Sequence, residues 1–278
     1  MKKVFVITMF GTPFSWINEY IENVQHLEKY GWYWKIFTPN GIESKGNVEI
    51  VPMSMEDFNV LVEKKTGVRP NFFMTIKGCP SVHITDYYVA SGVIFEDYLK
   101  DADFWGITNL DVVYGRLDKF VSDKLLRNCD IFTDDTNKTV NGVFSLWRNI
   151  PEINNLFRKI PNWEEKFGQA PCPVCLGFSG GHTLFGTDEY EMSLILKNEP
   201  LNVIDCEYYP LHGHDRLEQH LPEPKLEIKH DGSLWELSKD VNGPEWVHAR
   251  PFIGREIMYF HFPKTKKWPS IKTISQND

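Results

Sequence analysis

The sequence predicts an α/β protein with a mostly parallel central sheet flanked by helices. Three observations predict it. Strand and helix patterns alternate through the first hundred residues, acidic and amide groups stand where a strand pattern ends, and 42% apolar residues in 278 supply one sizeable core. In open α/β sheets ligands collect outside the carboxyl ends of the strands, so the second observation also says where to look for chemistry.

The elements follow in order. Residues 3–9 read as a buried strand and 14–30 as a helix, with Ile17, Tyr20, Ile21, Val24 and Leu27 at helical spacing and Gly31 at its end. Residues 32–38 and 48–52 read as strands, 55–65 as a helix, and 67–70 as a turn. A helix over 86–99 leads to a strand at 104–108, which runs into Asn109-Leu110-Asp111. Further helices are expected at 117–126, 150–158 and 188–197, and further strands at 130–133, 201–205, 226–229 and 256–262. Between 170 and 182 Pro, Cys, Gly and His crowd together, and Gly177–Gly181 suits a loop over a ligand.

Bulk properties narrow the function. A net charge of −8 argues against a broad polycationic surface, so nucleic acid is not the default partner. No apolar run reaches transmembrane length and the first residues lack a signal-peptide cleavage site, which predicts a cytoplasmic protein without a transmembrane segment. Five scattered cysteines fit a reducing compartment. Cys172 and Cys175, with Cys206, His212, His214 and His220 downstream, have the residue types for zinc but not the compact paired spacing, so ordinary thiols are the simpler expectation. Neither a Walker loop nor a dinucleotide fingerprint is present.

Asn109 and Asp111, one residue apart at a strand end, address the same side and can share a cation; the same triplet also suits ordinary turn capping. His261 lies between Phe260 and Phe262, in a pattern that equally fits a core histidine, and Lys264, Lys266 and Lys267 equally fit a solvated charge run. Asp188 and Glu189 open a helix, where negative charge is favoured, and are also candidates for general base. Trp105, Tyr114 and Trp147 are either ligand platforms or core, and Arg148 binds phosphate or pairs with an acid.

Taken in order, several segments resemble a family of short bacterial GT-A-type glycosyltransferases linked to surface-polysaccharide synthesis. They are Asp86-Tyr87-Tyr88, Gly92 to Leu99, Asp103-Phe104-Trp105-Gly106, Asn109 to Gly115, Ser145 to Asn149, His182 with Asp188-Glu189, and Tyr259 to Phe262 with Lys264. The chain departs from that family at Asn109, where the family has Asp, and near Val89-Ala90, where it has Lys-Pro. The resemblance implies a single GT-A-like (Rossmann-type) domain over 1–278, with a nucleotide-sugar half at 1–135 and an acceptor half at 136–278. It implies that Asp111 and His261 hold Mn²⁺ or Mg²⁺, that Asp86, Asn109, Lys264 and Lys266 face the donor, and that Asp188 and Glu189 serve catalysis. The implied reaction moves a hexosyl or pentosyl group from a UDP-sugar to a saccharide hydroxyl. Two alternatives stand beside it: a bacteriophage-type enzyme that glycosylates hydroxymethylated bases in DNA, and a non-catalytic sugar- or zinc-binding module.

Overall fold

The computed structural model describes residues 1–70, 84–134, 139–140, 142–168, 190–205, 210–212, 226–236, 255–262, 268–269 and 271–273. The chain begins with β1 (Lys3–Thr8), helix α1 (Ile17–Val24), β2 (Trp32–Thr38), β3 (Val48–Pro52) and helix α2 (Met55–Thr66). Then come β4 (Phe104–Thr108), β5 (Val112–Tyr114), β6 (Ile131–Thr133), β7 (Phe144–Arg148), β8 (Val203–Asp205) and β9 (Pro210–His212). The last strands are β10 (Leu226–Ile228), β11 (Leu234–Glu236), β12 (Arg255–Ile257), β13 (Tyr259–His261) and β14 (Ile271–Thr273).

The central sheet has seven strands in the order β3-β2-β1-β4-β7-β6-β8. Every neighbouring pair is parallel except the two that involve β7. The mostly parallel sheet that the alternating pattern predicts is therefore present. Its first strand explains why. Lys3 to Ile7 are all buried, with Val4 and Val6 in one apolar cluster and Phe5 and Ile7 in another. A strand covered on both faces loses the polar–apolar alternation and needs a helical layer on each side.

The cluster with Val4 packs α2, residues 84–98 and the segments around Ile153, Phe167 and Leu196. The cluster with Phe5 packs α1, Leu27 and β5 with Tyr259 of β13. A four-stranded sheet, β12-β11-β10-β14, and a three-stranded one, β5-β13-β9, carry the C-terminal part of the described chain. Trp16, Val113, Leu226, Leu234, Ile257, Phe260 and Phe262 form a third, smaller core where these two sheets meet the loop after β1.

Several expected helices are shorter or broken, each for a local reason. The helix expected over 14–30 is regular only from Ile17 to Val24 and tightens to a 3₁₀ helix, Gln25–Tyr30. Gly31 ends it at φ +79°, a conformation that costs a side chain dearly. The helix expected over 86–99 is a short α-helix, Ser91–Ile94, between two 3₁₀ segments, Ile84–Ala90 and Glu96–Tyr98. Gly92 sits at its centre because a β-carbon there would strike the Trp105 indole nitrogen and Asn154, which share a 2.7 Å hydrogen bond. The helix expected over 117–126 splits at Ser122, whose hydroxyl caps Asp123–Leu126 by accepting from the Leu125 N–H. Strand β7 has no counterpart among the expected elements. Phe144, Ser145, Leu146 and Trp147 are all fully buried, so the segment carries no alternation to read. It also places a segment from beyond residue 135 between β4 and β6, making one sheet continuous across that point.

Candidate functional site

The chain moves outward from β1 through β2 to β3 and then returns to place β4 on the other side of β1. This reversal opens a crevice outside the carboxyl ends of β1 and β4, the position where open α/β sheets bind ligands. Four strands end there in threonine: Thr8, Thr38, Thr108 and Thr133. The side-chain amide of Asn40 joins two of the loops on this edge, donating to the Gly11 carbonyl at 3.0 Å and to Thr38 Oγ1 at 2.8 Å. Asn109, half-buried, follows Thr108 directly, and Asp111 leads into β5.

The C-terminal part of the chain closes on this point. Strand β13 runs antiparallel to β5 with His261 opposite Val112, and the Phe262 N–H donates to the Asp111 carbonyl at 2.9 Å. That register puts the His261 imidazole beside the Asp111 carboxylate, with Nε2 and Oδ1 3.4 Å apart. The His261 side chain is 11% exposed and that of Asp111 25%. Two sequence-predicted residues from opposite halves of the chain thus converge just beyond the carboxyl end of β4.

Buried hydroxyls lie beneath them. Thr108 Oγ1 and the Tyr114 hydroxyl form a short hydrogen bond. Burial above all, with the charges of Asp134 and Asp111 adding to it, pushes the Tyr114 phenol well above its ordinary range. Tyr20 is raised in the same way, by burial first and then by Tyr114. Both phenols therefore keep their protons at neutral pH.

Asp134 was not singled out in the sequence. It is 3% exposed and follows Thr133 as Asn109 follows Thr108, at the carboxyl end of a parallel strand. The signal that could have found it is that repeated pattern, a threonine closing the strand and an acid or amide just beyond.

Other expected ligand groups are structural. Trp105 and Trp147 are fully buried and stack on one another at 5.1 Å, and Tyr114 is fully buried. Arg148 Nη2 donates to the carbonyls of Leu126, Arg127 and Cys129, with Asp130 3.6 Å from its Nε. Its charge thereby satisfies the carboxyl end of the short helix Asp123–Leu126.

A family model matches residues 5–277. The chain belongs to the family of unknown function DUF6625. No curated protein matches it. Among solved structures, this DUF6625 member is similar to galactosyltransferase LgtC in complex with donor and acceptor sugar analogs. The identity is 11% and the TM-score 0.46, over 95% of this chain and 88% of that one. It is also similar to a glycosyltransferase involved in glycosylation of the major capsid of PBCV-1, at 9% identity and a TM-score of 0.42, over 96% of each chain. Overlap this loose transfers neither residues nor chemistry.

In the DUF6625 chain Asp86 falls in the 3₁₀ segment Ile84–Ala90, and its side chain is outside the described set. Asp188, Glu189, Lys264 and Lys266, together with Cys172 and Cys175, lie outside the described residues. Among the described residues no three His, Cys, Asp or Glu side chains form a metal-holding group, so Asp111 and His261 stand as a pair. Two donors 3.4 Å apart are spaced as neighbouring ligands of one cation about 2.1 Å from each. No helix among the described residues is long and apolar enough to cross a membrane.

Proposed function

We propose that this chain is a GT-A-type glycosyltransferase that moves a sugar from a UDP-linked donor to a saccharide hydroxyl with the help of Mn²⁺ or Mg²⁺. The observation that carries the reading is the meeting of Asp111 and His261 at the β1–β4 crevice. A carboxylate oxygen and an imidazole nitrogen side by side suit Mn²⁺ better than Mg²⁺, which prefers oxygen alone. When bound, the cation would neutralise charge growing on the departing diphosphate.

The protein's own groups do the rest in this reading. Asn109 and the loop after β1 line the donor crevice, Asp86 meets the nucleoside or sugar, and Lys264 and Lys266 face the diphosphate. Asp188 and Glu189 belong to the acceptor side, where a carboxylate accepts the proton of the attacking hydroxyl as the new bond forms. The ordered motifs along the sequence support these roles.

The test is nucleoside diphosphate release from a panel of UDP-, GDP- and dTDP-sugars, with and without Mn²⁺ and with simple saccharides as acceptors. Release from a UDP-sugar that needs metal, and that is lost in Asp111→Ala, is the expected result. No release from any donor under any of these conditions would overturn the proposal.

A further inference from the structure

Strand β5 is only three residues long, yet Asp111 directly precedes it and its pairing sets the register of His261. One of its edges is paired with β13, through Phe262 to Asp111 and Gly115 to Met258. On an antiparallel strand the intervening residues turn their backbone groups to the opposite edge. At Tyr114 that edge is met by a single side chain. The Tyr114 N–H donates to Asn23 Oδ1 at 2.8 Å, and Asn23 Nδ2 donates back to the Tyr114 carbonyl at 3.1 Å.

This two-point bond has the form of a strand pair, made by one amide near the end of α1. Its neighbours extend the contact in both directions. The Trp16 indole N–H, just before α1, donates to the Leu110 carbonyl at 3.1 Å. His26, just after α1, holds Nε2 3.1 Å from the Gly115 carbonyl and Nδ1 2.6 Å from that of Asn23. From Leu110 to Gly115 the segment bearing Asp111 is therefore splinted by α1 and its two ends.

We propose that Asn23 is a positioning residue for the Asp111–His261 pair: its amide replaces a missing neighbouring strand and fixes β5 where the carboxylate and imidazole meet. The inference rests on the metal-dependent reading for its functional consequence, but not for its structural one. Outer-shell partners of metal ligands commonly change affinity by about 10–100-fold when lost. Asn23→Asp is the discriminating variant, because it keeps the shape while turning a donor into a second acceptor that faces the Tyr114 carbonyl. Asn23→Ala removes both bonds.

The experiment combines amide hydrogen exchange with titration of Mn²⁺ alone, followed by its electron paramagnetic resonance, in wild type, Asn23→Asp, Asn23→Ala and Asp111→Ala. Both Asn23 variants should exchange the Tyr114 and Phe262 amides about tenfold faster while β2 and β3 keep wild-type rates. Both should also bind Mn²⁺ about 10–100-fold more weakly. Wild-type exchange at Tyr114 and Phe262 in Asn23→Asp would overturn the proposal, as would unchanged Mn²⁺ affinity in a variant whose exchange is faster. If wild type itself binds no Mn²⁺, the metal-dependent reading fails, and the exchange of Phe262 alone decides the role of Asn23: faster upholds it and unchanged overturns it.

Discussion

Replacing Gly106 by alanine should damage the central sheet more than its one added methyl suggests. Gly106 lies in the middle of β4, in register with Phe5 of β1 and Leu146 of β7. A β-carbon there would stand 2.6 Å from two ring carbons of Phe5 and 2.8 Å from a methyl of Leu146. Carbon atoms prefer about 3.5–4.0 Å, so the Phe5 ring must move by roughly 1 Å. It has nowhere to go, because it is fully buried with Trp32, Trp34 and Phe144 centred 5.7, 5.3 and 5.3 Å away. Overpacking of this kind costs about 1–3 kcal/mol, and the enclosure of Phe5 favours the upper part of that range. At about 2.1 cal/mol/K per residue, a 278-residue chain unfolds with an entropy near 0.6 kcal/mol/K, so Tm should fall by about 3–5 °C. The assay is thermal unfolding of Gly106→Ala, Phe5→Leu and the double variant. Leucine lacks the ring edge that clashes, so the double variant should be more stable than the sum of the two losses predicts, by about 1 kcal/mol or more. A Tm change under 1 °C for Gly106→Ala, or strict additivity, would refute the packing argument.

Three further outcomes follow from buried groups. Burial holds His26 below its ordinary value near 6.5 against the pull of the Gly115 and Asn23 carbonyls, with Arg116 and Lys29 adding repulsion. As pH falls through about 6.5 the unfolded chain takes up a proton that the folded ring resists, so stability should fall with acid; His26→Gln should flatten the Tm slope between pH 7.5 and 5 relative to wild type, and an unaltered slope would contradict it. Lys3 is 1% exposed, and its ammonium meets Asp123 at 2.7 Å and the Tyr30 carbonyl at 3.0 Å. Since Asp123 is nearly half exposed, Asp123→Asn should cost about 1–3 kcal/mol rather than the full penalty of a stranded buried charge, and less in a Lys3→Met background, as measured by denaturant titration. Burial pushes the Cys129 thiol up to about 12, so peptide mapping after alkylation at pH 8 should find Cys129 unmodified in native protein and modified in denaturant.

The part of the fold that was legible in the sequence is the part whose signals are local. β1, β2 and β4 are apolar runs bounded by turns, and Ser54, which caps α2 with Asp57 in a reciprocal pair, marks its helix start in composition. β7 was not legible, because full burial of both faces erases alternation, and β9, β11 and β14 are three residues each, too short for any period, whereas β10 falls in the strand expected at 226–229 and β12 and β13 divide the one expected at 256–262. The site divides in the same way. Asn109, Asp111 and His261 stood out as residue types in an ordered set of motifs, but the meeting of Asp111 and His261 depends on β5 pairing with β13, a contact between distant segments that no local pattern encodes. Asn23 gave no signal at all, since an amide near the end of an amphipathic helix reads as a solvated position.

In the proposed function Asp111 and His261 form the metal-dependent end of a nucleotide-sugar site. Thermal unfolding with UDP, GDP, CMP and dTDP, each with and without Mn²⁺, addresses it directly, since a ligand that binds only the folded state raises Tm with its occupancy. UDP should stabilise the protein only with Mn²⁺ present, and the effect should disappear in both Asp111→Ala and His261→Ala. Stabilisation that survives both substitutions, or none with any nucleotide, would contradict it.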